Sequence, residues 1–318
     1  MATETTTTLS NNLPTEYYDR KLLDNLKHKL QYVPLGIPKP LPRNNGKLIQ
    51  WLRYDILSSD TTALSEGVVP TEEALTTRTT TATISQYGNF VKIADLLDLT
   101  AIDPVAENAL EELSAQAALT LDTLCRDELT GNLPNQFANN KASLADTGSS
   151  DVMTSKEILK ATITLRADRV MPHESGNYVA VLSPESIGDL MNDENVGSWV
   201  DLVKYTQGNV NKAFNGEVGM LFGCRILESQ NNSSTTSGTL GSAEVFSSPV
   251  LGRGCFGTVR LDNRNVSTYV KSAGSAGTAD PLNQISTVGY KIHGFVAKYL
   301  KDAGTNDRGV QIRSGTSY

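Results

Sequence analysis

The chain has 318 residues, 39% of them apolar, enough for one sizeable core or two, and no apolar run approaches the roughly 18 residues of a membrane span. A formal net charge of −7 argues against a protein that grips nucleic acid through clustered basic side chains; the one basic run is the mixed segment Arg20, Lys21, Lys27, Lys29. Cys125, Cys224 and Cys255 are odd in number and scattered, which predicts buried thiols and no disulfide framework. The first residues carry neither a basic n-region nor an apolar h-region, so a cytoplasmic start is expected.

Residues 1 to 14, rich in threonine and asparagine, read as a mobile arm. From Thr15 the pattern turns helical, with Tyr18, Leu22, Leu26 and Leu30 on one side and Asp19, Lys21, Asp24, Lys27 and Lys29 on the other. So short an amphipathic helix is marginal alone and must dock, either on its own domain or on a neighbour. Pro34, Pro38, Pro40 and Pro42 then impose an extended strap. Residues 47 to 57 (KLIQWLRYDIL) predict a strand, and 76 to 93 a second one heavy in threonine, joined by an acidic stretch over 58 to 75. A two-stranded ribbon of this kind is not stable alone in water, so it needs a partner surface.

The best-marked element runs from 103 to 131. Asp103 suits the N-cap, Pro104 the first helical position, and Gly131 with Pro134 the stop. Ala106, Leu110, Leu113, Ala117, Leu121 and Leu124 trace one apolar stripe, with Glu107, Glu111, Glu112, Asp122 and Asp127 outside it. At about 1.5 Å per residue this helix is roughly 40 Å long and wants a sheet beneath it. A polar loop is expected over 132 to 150, and Thr154 with Glu157 reads as a capping box opening a helix to about Val170. Then come a buried strand over 177 to 182, helices over 183 to 192 and 198 to 205, and strands over 217 to 228 and 243 to 251. A loop over 231 to 242, an insert over 272 to 279, a long strand over 285 to 300 with Val288, Tyr290 and Ile292 on one face, and a frayed polar tail from Lys301 complete the chain. Helices and strands mix without a βαβ rhythm, so the class is α+β.

Catalysis has no address in this pattern. The stretch LGRGCFGTVRL, 251 to 261, resembles the glycine-rich phosphate loop of protein kinases, with Gly252, Gly254 and Gly257 in phase and Lys271 downstream. The catalytic-loop HRD and metal-binding DFG are missing, so tight turns between strands account for the glycines better. Histidines 28, 173 and 293 are far apart, no CxxC, HxxxH or GxSxG occurs, and the adjacent pairs Glu72–Glu73 and Glu111–Glu112 point apart. No enzyme activity, cofactor or metal is expected.

Four stretches in this order carry a family resemblance: LPTEYYDRKLLDNLK from Leu13, GKLIQWLRYDIL from Gly46, LSEGVVPTE from Leu64, and ISQYGNFVKIADLLDLTAIDP from Ile84. The series resembles the major capsid proteins of tailed phages of the phage N-four type, and LGRGCFGTV looks like that family's sequence before its last strands. The resemblance implies the Hong Kong ninety-seven type capsid fold. Residues 1 to 45 would form the N-arm and 46 to 95 the extended loop, a β-ribbon over a neighbour. Residues 96 to 150 would hold the peripheral domain with its spine helix at 103 to 131, and 151 to 280 the axial domain. Residues 281 to 318 would return to the peripheral domain and end as a C-terminal tail.

The implied function is structural. Copies would associate as hexamers and pentamers into an icosahedral shell, a virion capsid assembled in the host cytoplasm around double-stranded DNA that it meets by proximity only. A separate scaffolding protein, a portal and, where the shell carries one, a decoration protein would be its partners, with no membrane. The scaffold is expected to be separate because no long extension precedes the N-arm, and no loop-tip cross-link is expected because residues 48 to 91 hold no lysine. The candidate inter-subunit contacts are Arg53 and Arg78, either paired with a neighbour's acidic groups or simply solvated, and Tyr17, Tyr18 and Leu22, docking the N-arm on a neighbour or on its own domain. An encapsulin-like compartment enclosing an enzyme cargo is the alternative with the same fold.

Overall fold

The computed structural model describes residues 30–55, 57–102, 105–173, 176–193, 217–237, 243–261, 266–275, 280–301 and 307–318. The N-terminal arm, the docking helix with Tyr17, Tyr18 and Leu22, the cap residues Asp103 and Pro104, and the helix expected over 198 to 205 lie outside them.

The spine is present as α2, Val105–Asn132, preceded by the short α1, Asp95–Thr100. Its 28 residues span about 42 Å. The buried seam runs through Leu113, Ala117, Leu121, Cys125 and Leu129, a strict fourfold spacing, while Leu110 and Leu124 pack only partly against it. The thiol of Cys125 is therefore a core side chain, and all three cysteines are buried and outside any disulfide.

Beneath the spine lies the first sheet. Its strands are β1 (Ile37–Leu41), β4 (Ser85–Ala94), β11 (Phe256–Leu261), β12 (Val266–Lys271) and β13 (Ile285–Tyr299). β11 and β12 run in line along one edge of β13, and β4 takes the other edge. The proline strap becomes β1, parallel to β11 at the sheet margin, where prolines remove no needed donor. Val288, Tyr290 and Ile292 face the spine as their alternation predicts. A register shift between Ile292 and Phe295 then moves the inward phase to Phe295, Ala297 and Tyr299, so the strand keeps one face on the core for its whole length.

The second sheet holds β5 (Asn135–Phe137), β14 (Gly309–Ser314), β10 (Ala243–Leu251), β6 (Tyr178–Leu182), β8 (Cys224–Glu228) and β7 (Glu217–Leu221) in that order, with β9 (Ser234–Ser237) added along β10. The helices α3 (Ser155–Ala167) and α4 (Pro184–Met191) pack on it through Ile158, Leu165, Ile187 and Leu190. β6 is buried at every position, which is why its sequence YVAVL is apolar without alternation.

Several expectations are corrected here. The stretch from 217 to 228 is a hairpin, turned at Phe222 and Gly223 with φ of 49° and 78°. The loop over 132 to 150 contains β5, and the 231 to 242 loop contains β9. Thr154 makes no side-chain cap; the amide and hydroxyl of Ser155 donate instead to Asp193 Oδ2 at 2.9 and 2.7 Å. Glu157 is turned aside, accepting from Gln136 Nε2 at 2.8 Å and the Asn139 amide at 3.2 Å. The largest correction is at the C-terminus. The tail from Lys301 does not simply fray: β14 is buried at all six positions and lies between β5 and β10. Ser317 donates to Asp189 and Tyr318 accepts from Asn192, seating the last residues on α4.

Candidate assembly surface

The third sheet is the two-stranded ribbon of β2 (Leu48–Tyr54) and β3 (Thr77–Thr83), paired antiparallel with Arg53 opposite Arg78. Because side chains alternate, the ribbon has two different faces. Ile49, Trp51 and Ala82 point inward and join Leu41, Val259 and Leu300 in a separate apolar cluster at the margin of the first sheet. Gly257 of β11 lies under the Trp51 ring so closely that an added Cβ would stand 2.8 Å from it. The neighbouring Gly254 has φ of +74°. Sterics, rather than a phosphate ligand, therefore explain these glycines of LGRGCFG.

Arg53 completes the inward face. Its Nη1 donates to the Leu300 carbonyl at 3.0 Å and its Nη2 to the Gly254 carbonyl at 2.6 Å. The sequence offered a neighbour's carboxylate or bulk water as its surroundings; within the subunit its guanidinium ties the tip-side end of the ribbon to one end of the β11–β13 pair, where β11 begins and β13 finishes. Arg78, directly opposite, turns away to Asp55 at 3.3 Å, its side chain 52% exposed. Two like charges face each other in register, and this divergence removes the repulsion.

Among the described residues nothing covers the outward face. Leu48, Leu52 and Tyr54 stand 60%, 53% and 59% exposed among Thr77, Thr79, Thr81 and Thr83. Beyond them the Asp55 amide meets the Thr76 carbonyl, and Ser58 donates twice to Glu73, closing the neck of a long tip loop. That loop carries Leu64, Val68 and Val69 into solvent. Apolar side chains gathered on an exposed ribbon and tip mark a contact surface.

A second feature concerns the chain's entry to the fold. Asp122, expected outside the spine's apolar stripe, is buried on the inner face. Its Oδ1 accepts the consecutive amides of Gln31, Tyr32 and Val33 at 3.0, 2.8 and 3.4 Å. Burial pushes the Asp122 carboxyl above its ordinary range, and the amide donors oppose that push. The fully buried Tyr32 passes its hydroxyl to Asn232. The N-arm is thus fastened at the middle of the spine before it leaves the described residues. Only contacts show this; a lone aspartate near a helical stripe carries no such signal.

Of the expected site residues, then, Arg53 and Arg78 share the ribbon, and Tyr17, Tyr18 and Leu22 lie outside the described residues. Leu48, Leu52 and Tyr54 were missed, although a strand apolar on both faces was readable in LIQWLRY. Among the described residues no group of His, Cys, Asp and Glu is placed to hold a metal, and no helix is long and apolar enough to cross a membrane.

A spine helix over one sheet, a second sheet with its own helices and a projecting ribbon together define a shell-forming fold of the Hong Kong ninety-seven type. The phage capsid protein family matches residues 76–310, and the chain belongs to that family. The fold is similar to the capsid of Ralstonia phage GP4, at TM-score 0.71 and 14% identity over 92% of this chain and 93% of that one. It is similar to the capsid of cyanophage P-SCSP1u at 0.68 and 15% over 100% and 96%, and to that of Helicobacter pylori bacteriophage KHP30 at 0.68 and 12% over 99% and 98%. No curated protein matches the sequence. The chain is a structural major capsid protein and not an enzyme, and the encapsulin-like alternative is not favoured by this company.

Proposed function

We propose that copies of this chain join as hexamers and pentamers into a closed icosahedral shell around double-stranded DNA, assembled in the host cytoplasm with a separate scaffolding protein, a portal and, where the shell carries one, a decoration protein. Each ribbon lies across the next subunit. The observation that carries the reading is the uncovered face of Leu48, Leu52 and Tyr54 on a ribbon whose other face is anchored at home by Trp51 and Arg53. A subunit built this way contributes several apolar contacts at once, so weak interfaces add up around a ring. The net charge of −7 keeps the wall from adsorbing tightly to packaged phosphates. The domain division follows the three sheets: ribbon, peripheral sheet with spine, and axial sheet, with the C-terminal strand β14 assigned to the last.

The test is Leu52→Asp. It leaves the inward face intact, so folded subunits by circular dichroism with no shells or capsomers by electron microscopy support the reading. Normal shells from this variant sink it.

A further inference from the structure

Between the spine and the first sheet a cleft of about 380 Å³ remains open. Its floor is Ala117, Leu121, Tyr290, Ile292 and Phe295, all buried, and Ser114 and Ala118 form the spine-side rim. Small side chains at 114, 117 and 118 leave the spine surface low there, as a helix packed alongside would need. Leu30 also lines the cleft. It is the first described residue, and the next three are pinned by their amides to Asp122, one residue past Leu121. The chain before Leu30 therefore starts at the mouth of this cleft.

We propose that the amphipathic segment 17–29 of the same chain occupies this cleft as a helix, laying Tyr18, Leu22 and Leu26 along the spine. This rests on the coat-protein reading only in treating the segment as the N-arm. Tyr18, Leu22, Leu26 and Leu30 recur every fourth residue, one ridge about 18 Å long if helical. The segment carries Arg20, Lys21, Lys27 and Lys29 against Asp19 and Asp24, and the charged side chain lining the cleft is Arg260, so the apolar ridge rather than charge fits the segment to this floor. Connectivity selects the chain's own segment over a neighbour's, because the tether at Asp122 makes docking intramolecular at high effective concentration. The spine and arm then form one unit, and only the residues before Tyr17 are left to reach a neighbour.

Disulfide trapping tests this in the full-length protein. Two double variants, Leu26→Cys with Ala118→Cys and Leu22→Cys with Ser114→Cys, place thiols at adjacent turns of the two elements. The native cysteines are buried and do not compete. Oxidation should give a reductant-reversible species that still migrates as a single chain in at least one pair. Disulfide-linked dimers would place a neighbour's arm in the cleft and overturn the proposal, as would no link in either pair. Imaging the same sample for shells keeps the two readings apart: shells without an intrachain link remove the docked arm and leave the coat function standing.

Discussion

Replacing Asp122 separates two roles that its carboxylate combines. In Asp122→Ala the amides of Gln31, Tyr32 and Val33 lose their acceptor where those residues are 9%, 0% and 6% exposed. A buried donor left without a partner costs about 1–3 kcal/mol. The amides at 3.0 and 2.8 Å carry most of the effect and the one at 3.4 Å little. The junction should therefore weaken by about 2–5 kcal/mol, which is about one and a half to three and a half orders of magnitude in local opening. Asp122→Asn keeps an oxygen acceptor and removes the buried charge. Burial raises this carboxyl above its ordinary value of 3.8 despite the amide donors. The folded state then binds the proton more tightly than the unfolded chain. The stability Asp122 contributes is greatest below 3.8 and is lost as pH rises through the folded pKa. A carboxamide at this position cannot titrate, so the Asp122→Asn variant should equal or exceed the parent at pH 7. Hydrogen exchange by mass spectrometry over residues 30 to 36 reads both effects. Unchanged exchange in the Ala variant, or an Asn variant as damaged as Ala, would refute the account of this junction.

Arg53→Ala removes two charge-assisted donors from the carbonyls of the buried Gly254 and Leu300 and should cost about 2 kcal/mol in the ribbon's anchorage, exposing Trp51 to quenchers and lowering shell yield; Arg53→Lys should not restore it, because one ammonium cannot reproduce the planar fork. Arg78→Ala removes only an exposed pair with Asp55 and should change subunit stability by about 0.5 kcal/mol or less, measured by chemical denaturation. Gly257→Ala should displace the Trp51 ring and loosen the ribbon's anchorage as Arg53→Ala does, read by the same quenching. Burial pushes the Cys224 thiol up to about 12, so thiol reagents at pH 8 should label none of the three cysteines quickly in the native protein and all three in denaturant.

Much of this architecture was legible because local signals agreed with it. The spine's apolar stripe at spacings of four and three, the continuous run YVAVL and the Ser183–Pro184 start of α4 each named their own element. Failures occurred where long-range pairing decides. Residues 309–314 (GVQIRS) have a polar, glycine-started sequence, yet they sit mid-sheet because β5 and β10 supply hydrogen bonds on both sides. Asp193 displaced Thr154 as the partner of α3's first turn from 38 residues away in sequence, which no capping pattern encodes. The ribbon was found, but its polarity was not: only the packing of Trp51 on Gly257 shows which face stays home. Alternation tells that faces differ, not which one a neighbour takes.

The most direct test of the account is electron microscopy of the purified protein at physiological salt, with sedimentation alongside. Closed shells or capsomer-sized rings are the expected result, abolished by Leu52→Asp. A persistent monomer, alone and with the proposed scaffolding protein added, would contradict the claim that this chain builds a shell through its ribbon.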